Sequence, residues 1–543
     1  MSKRLFQISL NPIRSIFLFL IISYTTTGAA QTEKLGYHTI KTDHSGKIIP
    51  WYSDEPGKAY SNAILSVWHF WDTMRVDMNG LPYYMNHQVW NPGVNDTRGI
   101  GGDQLQMALS SWRLLYQYAG DERIKENMKF MADYYLSHSL SPATAIWANI
   151  PFPYNSLVYS GLYDGDMVMG KNYTQPDKAG SLGNELIHLY KLVGNRSHGQ
   201  TPSAIYLDAA INIANTLANH TKTGNYSASP LPFKVHAFAP NEQVSPYTTN
   251  WSGTMELFLS LIEMKKGDTK AYQKAFDTIL SWMKEYPLKN NRWGPFFEDI
   301  PGWSDTQINA ITFAQFMMNH PQYFPDWKPQ VQNIYKWVYA TLGNKSWQKY
   351  GVTVVNEQTA YQIPGNSHTA RQASAELQYT ILTGDSTYKE NALRQLNWAT
   401  YMVDTDGKNR YPQDENWLTD GYGDYVRHYL RAFAFMPELA PTDEDHILSS
   451  TSTIQFAEYQ NSRFKKFQFA PRVDGIIKLE YIAYDSGVEV IRLREKPSKI
   501  LFDNKETQAS NITNKEGFEW KALKKGGLLI LSRIKAKEVL LFE

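Results

Sequence analysis

At 543 residues the chain exceeds one ordinary hydrophobic core, so two or more domains are expected. The 54 Lys and Arg against 53 Asp and Glu leave a formal charge of +1, and no long run of one sign suits a phosphate backbone, which argues against a nucleic-acid partner. The chain has no cysteine, which excludes a disulfide framework and thiolate metal sites.

The N-terminus reads as an export signal. Lys3, Arg4 and Arg14 precede the apolar stretch Ser15 to Tyr24, which ends in the small residues Gly28-Ala29-Ala30. Residues 1–30 are therefore read as a signal peptide, and a periplasmic or secreted protein is expected from about Gln31. Ten apolar residues are too few to span a bilayer, and no later segment is apolar enough, so no membrane span is expected.

From Tyr60 to Met74 the chain predicts a helix without a sequence partner. Beyond it a repeat emerges: an aliphatic helix, a Gly-Asp turn, then a helix carrying Tyr, Ala and Trp at helical spacing. Clear copies are WRLLYQYAGDERIKENMKFMADYYL from Trp112, LFLSLIEMKKGDTKAYQKAFDTILSWM from Leu257 and ELQYTILTGDSTYKENALRQLNWATYM from Glu376. Two looser copies bring the hairpins to five. In each clear copy the Gly suits the left-handed position after a helix, and the Asp suits the cap of the next. A sixth first-type helix begins near Tyr422, and pairing it with the early helix closes a ring of six. The fold class expected for residues 31–440 is thus an (α/α)6 toroid. Residues 441–543 change character to short alternating runs, among them GIIKLEYIAY, VEVIRLRE, GLLILSR and EVLLFE, and are read as a small antiparallel β-sandwich domain with a packing role.

The ring has a polarity. Turns within hairpins are short, while the connections between hairpins are long, near residues 138 to 178, 221 to 250, 286 to 304, 343 to 367 and 403 to 419. Long loops in a compact domain are usually functional. These must all lie at one end of the ring, where each delivers the N-terminus of a first-type helix, with its unpaired N–H groups.

Three clusters at that end carry acid-base and anion-binding groups. Asn366, His368 and Arg371 open one helix, with His368 and Arg371 three apart on one face. Asp420, Tyr422, Asp424, Tyr425, Arg427 and His428 open the next. Tyr83 to Asn91 supplies Asn86, His87 and Trp90, leading to Asp96, Arg98 and Asp103. Hydrolysis of a glycoside needs two carboxylates, for which Asp103, Asp164, Asp166, Glu256, Asp305, Asp420 and Asp424 are candidates; Asp305 and Asp420 are equally read as helix caps. β-Elimination at a uronic acid instead needs the sugar carboxylate neutralised by Arg, His or Asn while Tyr or His moves the protons. The clusters around His368 and Tyr422 match that second inventory better. The 16 Trp, 35 Tyr and 24 Phe include flat faces suited to sugar rings. A non-catalytic glycan-binding protein would also use them. His87, His236, His368 and His428 have no close ligand spacing, so neither a metal nor another cofactor is expected.

The toroid, its trailing β-module and these loops resemble the α/α-toroid polysaccharide lyases, and the chain with its TDGYGDYVRHYLRAFAFMPELAP segment is similar to the oligosaccharide dehydratases of ulvan breakdown. The resemblance implies removal of water across C4 and C5 of a non-reducing-end uronate, leaving an unsaturated sugar. The unsaturated glucuronyl hydrolases share the toroid but use Asp residues and usually lack a separate β-domain, so lyase or hydrolase action on the same substrates stands as the alternative. On the elimination reading, His368 and Tyr422 are assigned proton transfer, with Tyr425, His428 and His87 as further catalytic candidates. Arg371, Arg427 and Asn366 are assigned to the substrate carboxylate, Trp90 and Trp251 to stacking, and Asp103 and Asp420 to substrate contacts. The expected partner is a uronate-containing oligosaccharide.

Overall fold

The structure is a computed structural model that describes residues 33–73, 102–153, 170–194, 204–239, 243–297, 300, 302–409, 422–459, 476–481, 486–509 and 515–542. Among the described residues, twelve helices of 12 residues or more build its larger part. Six form an inner ring: α2 (Gly102–Ala119), α4 (Pro176–Val193), α6 (Ser252–Glu263), α8 (Gln307–Asn319), α10 (Asn366–Thr383) and α12 (Tyr422–Phe435). Five of these pair with an outer helix that follows in sequence: α3 (Glu122–His138), α5 (Ala204–His220), α7 (Thr269–Glu285), α9 (Trp327–Thr341) and α11 (Lys389–Thr400). The early helix α1 (Pro56–Asp72) packs on α11 and α12 and completes the outer ring. Its Tyr60 ring lies 5.0 Å from Tyr429 of α12, and its Trp68 and Trp71 rings meet Trp112 of α2 edge-on at 5.1 and 5.2 Å.

The Gly-Asp turns do what the repeat predicts in two clear copies. Gly120 and Gly267 take φ of +64° and +68°, and Asp121 and Asp268 accept from the Arg123 and Ala271 amides as N-caps. In the third copy Asp385 accepts from the Thr387 amide while α11 starts later, with Tyr388 at its N-cap. There Asp385 closes a turn, because Ser386 and Thr387 extend the loop before the helix begins.

Cross-helix contacts fix the inner helices as parallel. Early residues meet early ones, as with Arg371 and Gln307, and late ones meet late ones, as with Gln378 and Asn319. Between α4 and α6 the backbones approach so closely that a Cβ on Gly180 would lie 2.7 Å from the Thr254 Cα, so only glycine lets these two helices meet. All the long connections consequently deliver their helices to one rim. There Asn250 Nδ2 donates to Asp177 Oδ2 (3.0 Å), Lys178 Nζ donates to the Phe296 carbonyl (2.6 Å), and the Gln307 amide donates to the Glu357 carbonyl (3.0 Å).

From His446 the regular elements among the described residues are all strands: β1 (His446–Ser450), β2 (Ile454–Glu458), β3 (Ile476–Tyr481), β4 (Gly487–Leu493), β5 (Lys499–Phe502), β6 (Lys505–Glu506), β7 (Gly517–Ala522), β8 (Gly527–Arg533) and β9 (Glu538–Phe542). Two antiparallel sheets result, in the orders β6-β5-β9-β3-β2 and β7-β8-β4-β1. Alternate residues of both, including Leu479, Ile491, Leu529 and Val539, share one apolar cluster. The strands sit against the inner-helix ends opposite the rim. Tyr118, near the end of α2, stacks on His446 at 3.8 Å. Gln455 Nε2 donates to the Lys191 carbonyl (3.1 Å) near the end of α4. Lys34–Glu543 accordingly forms a single compact unit. No helix of the described residues is long and apolar enough to cross a membrane.

Candidate functional site

The inner helices enclose a polar cavity of about 150 Å³, whose wall includes Gln106, Asn184, Glu256, Gln315, Arg371, Arg427 and Arg431, with Phe296 among the apolar residues. Arg371 on α10 and Arg427 and Arg431 on α12 carry the charge into this cavity.

One carboxylate organises the cations. Asp424 is buried and pairs with both Arg371 and Arg427, and it accepts from His428 Nε2 at 3.1 Å. Burial alone would raise its pKa, but the two guanidinium charges outweigh burial and hold the carboxyl well below the usual carboxylate range. Arg371 also donates to Gln307 Oε1 (2.8 Å). Burial pushes the His428 imidazole down to about 3, so it is neutral at physiological pH. Arg431 has only a 3.4 Å contact with Gln315 Oε1 and no ion pair among the described residues; burial and the neighbouring Arg427 charge lower it to about 9, still protonated at neutral pH. On the facing side Arg113 donates to Glu185 (3.0 Å), and His320 pairs with Glu256 (2.7 Å).

At the rim, one helical turn before Arg371, His368 Nε2 lies 3.1 Å from Glu357 Oε2, and Gln358 Nε2 donates to the other oxygen (2.7 Å). Donation from Nε2 to the carboxylate leaves Nδ1 with the lone pair, and Nδ1 is buried without a partner among the described residues. The Phe297 ring meets His368 edge-on at 6.5 Å, next to Phe296 in the cavity wall. Asn366 is buried close by, with its Nδ2 likewise unpartnered among the described residues.

No protein-family model and no curated protein matches the chain. Solved structures do. A D-mannose isomerase aligns over 70% of this chain and 99% of its own with a TM-score of 0.52 at 11% identity. A cellobiose 2-epimerase from Bacillus thermoamylovorans aligns over 70% and 98% with a TM-score of 0.51 at 11% identity. At that identity the likeness is one of fold.

The sequence-derived candidates divide sharply. His368 and Asn366 sit buried on the first turn of α10, outside the lining of the lumen, while Arg371 and Arg427 line the lumen itself. Tyr425 does not belong there: it is fully buried, donates to the Ala399 carbonyl (2.9 Å) and meets the Tyr429 hydroxyl at 2.6 Å, because its position in α12 points it toward α11. Burial pushes its phenol well above the ordinary range. Trp251 is equally buried, with Nε1 donating to the Thr248 carbonyl (2.8 Å), and so cannot stack on a ligand. His428 lies behind Asp424 and orients it. Asp305 is neither cap nor catalytic acid: Oδ1 accepts the Trp293 and Gly294 amides and Oδ2 accepts from Trp303 Nε1 (2.9 Å), while Thr306 holds the N-cap position of α8. His87, Trp90, Asp420, Asp96, Arg98, Asp164 and Asp166 lie outside the described residues, as do the side chains of Tyr422 and Asp103.

Sequence reasoning missed Glu357, Arg431 and the Arg113–Glu185 pair. Arg431 had a signal, since it follows Arg427 by four residues and shares its helix face. Glu357 had none, because its partner is reached across a loop.

A separate buried acid faces the outer ring. Glu376 accepts from Gln372 Nε2 (2.8 Å) and the Tyr339 hydroxyl (2.7 Å), and burial raises its pKa from 4.5 to about 8. The folded chain therefore holds this proton where the unfolded chain has lost it. The stabilisation is complete below pH 4.5 and declines as pH rises to about 8, on the order of 3–5 kcal/mol across the interval. Glu376→Gln is expected to remove this dependence, seen as a smaller fall in denaturation midpoint than the parent between pH 5 and 8. Parallel midpoint curves for the two proteins would contradict the assignment.

Proposed function

We propose that the protein is a carbohydrate-active enzyme of the carbon–oxygen lyase type, which removes water across C4 and C5 of a non-reducing-end uronate on ulvan-type oligosaccharides in the periplasm or outside the cell. The observation that carries this reading is the set of three guanidinium groups, Arg371, Arg427 and Arg431, lining one cavity, with a histidine–carboxylate pair one helical turn before Arg371. Clustered guanidinium groups favour a sugar carboxylate and stabilise the charge that develops on it when the adjacent proton leaves.

In the proposed reaction the Arg371 and Arg427 guanidinium groups, with Asn366, bind the carboxylate. His368 Nδ1 takes the C5 proton, and Glu357 stabilises the resulting imidazolium through Nε2. The electrons of the C5–H bond form the C4=C5 double bond as the C4–O bond breaks. Tyr422 gives its proton to the departing hydroxyl, which leaves as water, and the proton on His368 returns to Tyr422 through solvent. The likeness in fold to a D-mannose isomerase and a cellobiose 2-epimerase supports a sugar-processing enzyme.

Elimination is favoured over hydrolysis by the state of the acids. A glycosidase needs one carboxyl raised to act as general acid. Among the described residues lining or backing the lumen, Asp424 is held far below that range. Glu185, which burial would raise, is instead lowered by Arg113. The test is ultraviolet absorbance on incubation with saturated uronate-ended oligosaccharides. A rise, from the double bond conjugated to the carboxylate, supports elimination; a flat trace with these substrates and a fall with pre-unsaturated ones would instead support hydrolysis.

A further inference from the structure

The connections before α6 and α8 meet on the rim outside the lumen and build a second group there. Arg292 lies with its Cζ 3.6 Å from the centroid of the Trp303 ring, 4.9 Å from that of Tyr226 and 5.1 Å from that of Tyr247. Trp303 is 40% exposed and Tyr226 51% exposed, so both rings present surface to solvent while flanking one guanidinium. The group is held in place. Asp305 fixes the Trp303 indole and the backbone on the C-terminal side of Arg292, and the Tyr247 hydroxyl donates to the Arg292 carbonyl (2.8 Å). Arg292 has no ion pair among the described residues. Its Nε is buried without a hydrogen-bond partner among them.

A guanidinium is weakly hydrated and stacks on aromatic faces while its remaining N–H groups stay directed at planar or tetrahedral oxyanions. Ring faces beside it suit the C–H face of a sugar. Arg292 precedes Phe296, which lines the lumen, by four residues, at most about 14 Å of extended chain. We propose that Tyr226, Arg292 and Trp303 form a distal subsite that binds an anionic substituent, carboxylate or sulfate ester, on an inner unit of the oligosaccharide whose end occupies the lumen. This rests on the reading of the lumen as a uronate-binding site. It makes the rim group the part of the protein that senses chain length and charge away from the reacting end.

The test is calorimetric titration of the full chain with a uronate-containing disaccharide and hexasaccharide, the latter both sulfated and chemically desulfated. Arg292→Ala is expected to weaken hexasaccharide binding about tenfold or more, leaving disaccharide affinity and the thermal midpoint unchanged. Tyr226→Ala, at the more exposed ring, is expected to act in the same direction with a smaller effect. If the Arg292→Ala loss disappears on the desulfated hexasaccharide the anion is a sulfate ester; if it persists, the anion is a carboxylate. Equal losses on both lengths, no loss on either, or no measurable hexasaccharide binding by the parent chain overturns the subsite. Length-dependent binding without elimination would sink the proposed reaction and leave the subsite standing.

Discussion

Asp424→Ala is expected to destabilise the fold by about 3–5 kcal/mol and to abolish turnover. The carboxylate is buried, with Arg371, Arg427 and His428 around it. Removing it leaves two guanidinium charges facing each other in the lumen with Arg431 one turn further along. Breaking a buried pair by deleting one partner is costly because the remaining charge is uncompensated. The stability loss is read from chemical denaturation. The Arg371→Met, Asp424→Leu double variant removes both members of one pair and is expected to recover part of that stability without recovering activity, since Arg371 is also assigned to the substrate carboxylate. An Asp424→Ala protein as stable as the parent would mean that the guanidinium groups are not held by this carboxylate.

The second large effect falls on the rim pair. His368→Ala is expected to lower the elimination rate by about two to four orders of magnitude, the range for loss of a proton-transfer group, with little change in oligosaccharide affinity. Glu357→Gln is expected to cost less. Glu357 is a positioning residue acting through His368 Nε2, so its removal should lower kcat without weakening oligosaccharide binding. Comparing kcat and oligosaccharide affinity for the parent and the two variants separates these roles. Full activity in His368→Ala would remove the imidazole from the chemistry.

Much of this arrangement is legible in sequence because it follows from periodicity and turn chemistry. The Gly-Asp turns, the six inner helices and the long connections at one rim are local signals, and together they bring Arg371 and Arg427 to one cavity and His368 to the helical turn before Arg371. Side-chain direction is less legible. Tyr425 and Arg427 are two residues apart on the same helix, yet one packs under Tyr429 and the other lines the lumen. An alternation of aromatic and charged residues at a helix start does not say which stripe faces inward when both faces of the helix are covered. Trp251 looked like a loop aromatic available to a ligand, but its indole is spent on the Thr248 carbonyl. Asp305 illustrates a different limit: its three hydrogen bonds come from a segment 11 or 12 residues earlier and from Trp303, and short acidic turns of this kind look alike whether they cap, staple or catalyse. Glu357 could not be found from its neighbours at all, since what gives it a role is a loop folding back onto the first turn of α10.

Three cations and several amides line the lumen. On the proposed reaction they hold a terminal uronate from which water is removed while every glycosidic bond stays intact. Mass spectrometry of the products from a saturated uronate-ended oligosaccharide tests this most directly. The account predicts a product of unchanged chain length lighter by one water. Two shorter fragments whose masses sum to that of the substrate, or to the substrate plus one water, would mean that the lumen cleaves a glycosidic bond and would contradict it.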